Sequence, residues 1–251
     1  MRSEVTVVPM RRDVMKIPNL QTKPKVTWTE ELTTKSTTTA SFDECTLTVK
    51  KCAAIMYLSD ELVEDSQEID VVKFIIGLFA EAIGEEENRV IWRGNGTTEP
   101  TGVVTARVAT TIAARTAAAG LSFDEIINLQ YDLPAKYHKN AKFYAHRHNI
   151  RDLRLLKDSD LRYLWQPSQQ AGQPPTLAGF PFIECCELPD SELYFGDMKK
   201  AYWLGDRSQL AVKVSQDTET AFTKDQTAIR VVSRIAGNVV LGQAMRCLLG
   251  I

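Results

Sequence analysis

Three histidines have a spacing that could bind a metal ion. His138, His146 and His148 lie close together, and a His-x-His pair on a β-strand would point both side chains to one face of the sheet. No Cys-x-x-Cys or His-Glu-x-x-His motif accompanies them, and the surrounding residues are basic and repel cations. The sequence therefore favours histidines that hold no metal, and we expect no cofactor.

Two adjacent cysteines, Cys185 and Cys186, could supply a nucleophile. A reactive thiolate needs a lowered pKa, and the sequence predicts neither a helix N-terminus nor a nearby histidine that would lower it. A buried structural thiol is the favoured interpretation. The five cysteines are an odd number, which fits a reducing compartment better than a disulfide framework.

Three consecutive carboxylates, Glu85, Glu86 and Glu87, could suggest acid–base chemistry. Neighbouring side chains on a helix point in different directions, so a solvated or partner-facing side is the better interpretation. The Gly94-Asn95-Gly96 turn that follows lacks the Gly-Lys-Ser/Thr ending of a phosphate-binding loop. None of these motifs predicts an enzyme.

A basic run extends from Lys136 to Arg162, where eight Lys or Arg side chains stand against three acids. One hypothesis is a nucleic-acid surface, and the other is ion pairing between subunits with acidic parts of the same chain. We favour the second, because aromatic side chains are not interleaved with the basic ones as the binding of single strands requires.

The composition is that of an ordinary globular protein, with 44% hydrophobic and 25% charged residues in a chain of 251. This length is enough to bury a sizeable core. The net charge of −2 argues against non-specific nucleic-acid binding by the chain as a whole. No apolar run is long enough for a membrane span, and no signal peptide is visible at the Arg-rich start.

The main element that positions these residues is a long helix predicted from about Val71 to Arg93. It follows a short helix for which Ser59 is a favourable N-cap, and it ends at Gly94, where a left-handed residue is common. Its length would be roughly 34 Å, the width of a small domain. The face predicted to be buried comprises Val72, Ile76, Phe79, Ile83 and Val90.

Residues 23 to 52 predict a long two-stranded hairpin with a polar tip. Val26 and Trp28 alternate with threonines on one side, and Leu47 and Val49 do so on the other. The hairpin has too few large apolar residues for a core of its own, and an isolated hairpin is marginal in water, so something must cover it. An ordinary surface hairpin is the alternative.

The remaining segments predict further elements. Prolines interrupt residues 1 to 22, which indicates a flexible basic terminus without regular structure. Residues 103 to about 186 predict a compact α/β unit, to which the apolar segment from 239 to 251 returns. Its elements are a helix capped by Ser122, a strand over 142–146 and a helix over 150–157. Strands are predicted between these two parts, over 194–195, 201–204, 210–215 and 228–235.

In order, these segments resemble the major capsid proteins of tailed bacteriophages, which have the Hong Kong 97-type fold. The resemblance extends from about residue 5 to the end, and each motif alone is weak. The matching segments are the LS-x-E-L helix at Leu58–Leu62, the spine helix at Val71–Arg93, the glycine turn at Gly94–Gly96 with Pro100–Gly102, Asn149–Asp158, Leu177–Phe182, Phe195–Met198, Ala201–Trp203, and the C-terminal Arg230, Arg234 and Ala244.

The resemblance implies an α+β capsid fold with four parts. Residues 1–22 would be an N-terminal arm and 23–52 an extended E-loop. Residues 53–102 and 187–238 would form a P domain with the spine helix, and 103–186 and 239–251 an A domain. The implied function is a major capsid protein that assembles as pentamers and hexamers into an icosahedral shell around double-stranded phage DNA. Assembly would take place in the bacterial cytoplasm, without a membrane and with possible scaffold, portal and decoration proteins.

The resemblance also implies contacts between subunits rather than a catalytic site. The residues expected there are Trp28, Lys35, Glu85, Glu86, Arg147, Arg151 and Arg154. Some relatives join a lysine of the E-loop to an asparagine of the P domain with the help of a glutamate. Here Asp225 and Val232 stand near those two positions, so we predict no cross-linking from Lys35, because an unassisted lysine stays protonated.

Two rival functions are weighed against this one. An encapsulin-type nanocompartment shell shares the fold but packages an enzyme, so a cargo enzyme instead of DNA would identify it. A soluble α/β hydrolase-like enzyme would be a monomer or small oligomer with a polar pocket, and the sequence offers no nucleophile–base pair for it.

Overall fold

The computed structural model describes residues 1–22, 28, 41–61, 71–109, 111–117, 120–157, 160–165, 176–216 and 223–251. These ranges form two sheets, a hairpin and one long helix. The strands are β1 Thr6–Pro9, β2 Val14–Thr22, β3 Ser41–Thr48, β4 Lys50–Ser59, β5 Ala113–Thr116, β6 Lys142–Ala145, β7 Thr176–Leu177, β8 Phe180–Glu184, β9 Glu192–Gly196, β10 Tyr202–Ser215, β11 Gln226–Val239 and β12 Met245–Leu249. The helices are α1 Val71–Arg93, α2 Val103–Val108, α3 Phe123–Asp132, α4 Arg147–Leu155 and α5 Met198–Ala201, with 3₁₀ turns at Arg2–Glu4, Ala135–Asn140 and Gly242–Ala244.

One sheet has four strands in the order β1-β10-β11-β4. β1 runs parallel to β10, and the other neighbours are antiparallel. The two strands predicted over 201–204 and 210–215 are one strand, β10, whose register with β11 shifts between Asp206 and Ala211. β4 was not predicted, because its face that lies away from the helix is exposed along its length and its apolar residues do not alternate cleanly.

The other sheet has six strands in the order β5-β12-β9-β6-β8-β7. The C-terminal strand β12 lies between β5 and β9, so the last segment joins the same sheet as strands of the 103–186 segment. Strand β9, which follows the predicted boundary at 187, also belongs to this sheet and is buried along its whole length between β12 and β6. The chain crosses to the four-stranded sheet only after Gly196.

Helix α1 connects the two sheets and has the predicted extent. Ile75 and Phe79 pack on Ile229 and Val231 of the four-stranded sheet. The row that packs on this sheet is 71, 75, 79 and 83, at steps of four, with Ile75 and Phe79 buried and Val71 and Ile83 half-buried. Ile76 of the predicted face is half-buried and does not belong to this cluster. The side chain of Val72 lies outside the described residues.

At its C-terminal end α1 enters the main core. Trp92 is fully buried, with its ring centroid 5.5 Å from that of Tyr144 and 5.6 Å from that of Tyr194. The expectation of a left-handed Gly94 is wrong, since Gly94 is not among the residues with positive φ. Glycine is required there for space, because an added Cβ would lie 2.1 Å from the carbonyl oxygen of Pro100.

The N-terminal segment is regular, which corrects the prediction for residues 1 to 22. Pro9 ends β1, which is an edge strand, and Pro18 lies in β2, which pairs on one side only with β3. Proline is tolerated at such places because its missing N–H faces away from the partner strand. Val5 and Met10 are buried, so this segment is fixed to the body of the chain.

Two other predictions concern the residues at which helices begin. The helix after Ser59 begins with Asp60 and Glu61, and the rest of it lies outside the described residues. Ser122 caps α3 as predicted, accepting a hydrogen bond from the backbone N–H of Glu125 at 3.3 Å. No helix in the described ranges is long and apolar enough to cross a membrane.

Candidate assembly surfaces

The four-stranded sheet has one covered face and one bare face. Helix α1 covers the face that carries Leu58, Ile229 and Val231. On the other face lie four cationic side chains from three neighbouring strands, which we call the cationic face. Its cations are Lys51 of β4, Lys213 of β10, and Arg230 and Arg234 of β11.

The strand register places these cations directly opposite one another. Lys213 pairs with Arg230, and Lys51 pairs with Arg234. Directly opposed like charges destabilise a sheet by repulsion. The side chains line a depression of about 450 Å³ in which the lining residues include no acid, and no ion pair to any of the four is found in the described part of the chain.

Apolar side chains lie exposed beside these cations. Ile55 and Tyr57 of β4 are 57% and 44% exposed. Ile55 lies opposite Arg230, so the two kinds of side chain form one continuous surface. A surface that combines bare cations with exposed apolar groups is typical of a protein–protein contact.

The outer face of α1 also combines exposed apolar side chains with charged ones. Phe74 and Leu78, four residues apart, are 62% and 46% exposed, and Glu81 and Glu85 follow on the same side. The predicted divergence of the three carboxylates is confirmed. Glu85 is exposed, whereas Glu86 receives two hydrogen bonds from Arg89 at 2.6 and 2.8 Å, and Glu87 receives one from Arg2 at 2.7 Å.

Arg89 is shared between Glu86 and Glu99 and fixes the helix to the turn that follows it. Its Nη2 atom lies 2.7 Å from Glu99 Oε1. The hydrogen bond from Arg89 lowers the pKa of Glu86, although partial burial acts in the opposite direction. Glu86 is therefore engaged within its own subunit, and Glu85 is the freer of the two predicted contact residues.

The predicted basic run lies on α4 and the segments beside it. Arg147 is very exposed and lies 3.9 Å from Glu184, and Arg151 pairs with Asp152 at 2.9 Å. The guanidinium of Arg154 lies 5.6 Å from the ring centre of Trp165, which is buried. Among the ion pairs of the described residues, none joins one of these arginines to Glu85 or Glu86.

The hairpin of β2 and β3 is covered at its base by the chain itself. Ile17 and Leu47 are buried in a small cluster with Met10, Ala236 and Val240. The base of the hairpin is therefore covered, as its lack of a core of its own requires, and the cover is part of the same chain. Lys35 and the strand predicted around Val26 lie outside the described residues, and Trp28, which is described, is fully exposed.

His146 and His148 are not on a strand, which corrects the predicted geometry. His146 is the N-cap of α4 and His148 is in its first turn, because β6 ends at Ala145. Both rings reach Asp190, with Nδ1 to carboxylate distances of 2.6 Å for His146 and 3.0 Å for His148. The hydrogen bond with His148 is the main cause of a lowered pKa of Asp190. His138 is separate, and its Nε2 lies 2.9 Å from the Leu133 carbonyl oxygen.

The thiols show no nucleophilic arrangement. Cys185 is buried, and this burial raises the pKa of its thiol to about 12, so it stays protonated at neutral pH. Cys186 is exposed. The prediction of a buried structural thiol is confirmed for Cys185 alone.

The Gly94–Gly96 turn is explained by its own hydrogen bonds. Asn95 Oδ1 accepts from the backbone N–H groups of Thr97, Thr98 and Glu99 at 2.8 to 3.1 Å. These donors are therefore satisfied within the turn, and a phosphate group would have to displace Asn95 to reach them.

Comparison with known proteins identifies the fold. The capsid of a native GTA particle matches with a TM-score of 0.88, 23% identity, and coverage of 99% of this chain and 89% of that one. Proteins of Microbacterium phage Oxtober96 and Mycobacterium phage Adephagia both match with a TM-score of 0.75, at 18% and 14% identity. They cover 98% and 99% of this chain and 89% and 88% of their own. The fold is that of the Hong Kong 97-type capsid proteins.

The model of the phage capsid family matches residues 1–248, and the chain belongs to that family. It is a major capsid protein, a structural component of the virion that assembles with copies of itself into the shell. Comparison with curated proteins gave no match.

Sequence reasoning missed most of the cationic face. Arg230 and Arg234 were noted only as part of a family pattern, and Lys51 and Lys213 were not noted. Their exposure follows from which face of the sheet α1 covers. A signal was present in the two-residue spacing of Arg230, Val232 and Arg234 along β11, which places all three on one face of the strand.

Proposed function

We propose that this chain forms the pentamers and hexamers of an icosahedral shell that encloses double-stranded phage DNA. The observation that supports this best is the cationic face, which is bare in the single chain and lies beside exposed Ile55 and Tyr57. Obligate interfaces bury such surfaces and often exceed about 2,000 Å² in total. Contacts that repeat around five-fold and six-fold axes close into a shell instead of a filament.

The six-stranded sheet with α3 and α4 serves as the A domain at the centres of the capsomers. The four-stranded sheet with α1 serves as the P domain at their edges. This assignment changes the boundary expected from the sequence, since it places Glu192–Gly196 in the A domain. The long α1 helix, which packs on one sheet and inserts Trp92 into the core of the other, keeps the two parts in a fixed relation.

The hairpin of β2 and β3 serves as the E-loop that contacts the next subunit. Its base is held by Ile17 and Leu47, and Trp28 is exposed beyond this base. The segment before β2 contributes to the body of its own subunit through Val5 and Met10, so its role as an arm is limited to the parts that remain exposed.

Acidic and basic surfaces also pair between subunits, in addition to the pairs that Arg147 and Arg151 make with Glu184 and Asp152 of their own chain. Glu85 on α1 supplies an acidic contact, and Arg147 and Arg151 on α4 supply basic ones. Each of these side chains is exposed at the surface of its own subunit. Because such pairs are partly screened by salt, shell formation weakens at high ionic strength.

The shell is held without covalent cross-links. Val232 stands near one of the two positions that cross-linking relatives use, but its side chain cannot act as an acid or a base. Its partners on the neighbouring strands are Ala53 and Ala211, which cannot do so either. Asn238 donates a hydrogen bond from Nδ2 to the Thr46 carbonyl oxygen, so its amide is engaged within the subunit. Bands of covalent multimers on a denaturing gel of assembled particles would refute this.

Electron microscopy of the purified protein tests the proposal. We expect closed shells or capsomers on negative-stain grids, and DNA inside particles isolated from infected cells. A cargo enzyme in place of DNA would favour the encapsulin-type alternative, and a monomer at high concentration would contradict both. Scaffold, portal and decoration proteins are further proposed partners, and the host cytoplasm is the proposed place of assembly.

A further inference from the structure

One group of side chains has no part in the assembly proposed above. His146, His148 and Asp190 have ligand atoms that all lie within 4.8 Å of one another. The two histidine Nδ1 atoms lie 2.6 and 3.0 Å from different oxygens of the Asp190 carboxylate. The sequence pointed to the histidines but offered no third ligand, because Asp190 is 42 residues away from His148 along the chain.

The backbone explains why three side chains meet here. His146 has extended dihedral angles as the N-cap of α4, and the helix then turns His148 to the same side, so the two ring centres are 4.7 Å apart. Asp190 belongs to the turn that leads from β8 into β9. β6 pairs with both of these strands, which places their turn beside the start of α4.

The donor set matches a transition-metal ion. Zinc is bound by imidazole nitrogen and carboxylate oxygen at about 2.0–2.2 Å, which places tetrahedral ligand atoms about 3.3 Å apart. The present nitrogen–oxygen separations, 2.6 and 3.0 Å, are about 0.7 and 0.3 Å shorter, so an outward movement of the exposed Asp190 and His148 side chains would admit an ion. Calcium and magnesium prefer sets made of oxygen alone.

We propose that His146, His148 and Asp190 form a three-ligand site for a Zn²⁺-like dication, with water as the fourth ligand. Such an ion would tie the start of α4 to the turn before β9. It would thereby fix the direction of Arg147 and Arg151, which are neighbours of these ligands on α4.

Nearby cations oppose the binding of an ion but do not prevent it. Arg151 is paired with Asp152 at 2.9 Å, and Arg147 lies 3.9 Å from Glu184. Arg93 also acts on Asp190 electrostatically. The side chains of Asp190 and His148 are 60% and 58% exposed, so solvent and salt screen this repulsion. The affinity should therefore be lower than that of a closed four-ligand zinc centre.

Titration of the metal-free full-length chain with ZnCl₂, followed by calorimetry, tests the site. We expect one ion per chain and a rise in the Tm of the subunit at saturating zinc. His148→Gln and Asp190→Asn should each weaken binding by at least about tenfold, since even the outer partners of metal ligands contribute 10- to 100-fold. Both side chains are exposed, so neither change should prevent folding. His138→Gln is the matched control and should leave the affinity unchanged.

Cobalt provides a second measurement. Co²⁺ in the proposed site should give the intense visible absorption of a tetrahedral centre, without a thiolate charge-transfer band. Zinc binding that survives in Asp190→Asn, or that is lost in Cys186→Ser, would overturn the proposal. So would the absence of saturable binding by the unaltered chain. All of these results are independent of shell formation.

Discussion

Lys213 and Arg230 lie directly opposite each other on β10 and β11, and both project from the face of the sheet that α1 does not cover. Two cations in this relation repel each other, so the isolated subunit loses stability by keeping them. The second opposed pair, Lys51 and Arg234, adds to the same effect. Residues that weaken the subunit but would pair with a neighbour are expected in a chain whose functional form is the assembly.

Reversing the charge of Lys213 should separate the effect of these cations on the stability of the subunit from their effect on assembly. Lys213→Glu places opposite charges across the strands, so we expect subunit stability to stay unchanged or to rise by about 0.2–1 kcal/mol. The same change should reduce the yield of shells. Thermal unfolding of the subunit and particle counts by microscopy measure the two quantities. Lys213→Arg is the control and should assemble normally; a Lys213→Glu variant that also assembles normally would show that the cationic face is not a contact.

Two phenylalanines on α1 allow the same substitution on opposite faces. Phe79 is buried against the four-stranded sheet, so Phe79→Ala should lower the free energy of unfolding by about 3–5 kcal/mol. Phe74 is exposed, so Phe74→Ala should change it by no more than about 0.5 kcal/mol and should instead impair assembly. Urea denaturation and particle yield check the pair. Equal destabilisation by both changes would mean that the outer face of α1 is packed within the subunit.

The Glu86–Arg89 pair predicts a small dependence of stability on pH. The pKa of Glu86 in the folded chain lies below its unfolded value, so the pair contributes stability above pH of about 4.3 and loses it as the pH falls through the folded pKa. Both side chains are about one third exposed or more, and solvent screening limits the contribution to about 0.5–1 kcal/mol. Glu86→Gln should therefore be less stable than the unaltered chain at pH 7, and this difference should be smaller in acid, at a pH of about 3. Unfolding curves at both pH values, at low and high salt, test this. A difference of the same size in acid and at pH 7 would assign the effect to packing instead of charge.

The hairpin offers a comparison between its base and its exposed part. Leu47→Ala removes a fully buried side chain at the base and should lower the free energy of unfolding by about 2–5 kcal/mol. Trp28 is fully exposed, so Trp28→Ala should leave the Tm of the subunit unchanged and should reduce assembly. Calorimetry and particle yield are the measurements. A lower Tm for Trp28→Ala, without an assembly defect, would mean that the hairpin packs on its own subunit.

Local patterns predicted the elements that depend on a single segment. The extent of α1 and the Ser122 cap of α3 follow from periodicity and capping chemistry. The errors concern contacts between distant segments. Sequence spacing could not show that β9 is buried between β12 and β6, or that Pro9 and Pro18 lie in strands with a free edge.

The surface residues also divide into those that a single segment predicts and those that depend on contacts between distant segments. Arginines on α4 and carboxylates on α1 were identified because each lies within one element. The cationic face was not, because it needs the register of three strands and the position of the helix on the other side. Asp190 was also missed, since the pairing of β6 with β8 and β9 brings it to the histidines.

The most direct test compares the reactivity of Lys51 and Lys213 toward an amine-acylating reagent in free subunits and in assembled shells, read by mass spectrometry. If neighbours cover the bare face of the four-stranded sheet, both lysines should react readily in the free subunit and much more slowly in the shell. Equal rates in the two states would show that this face stays open to solvent, and would contradict the proposed mode of assembly.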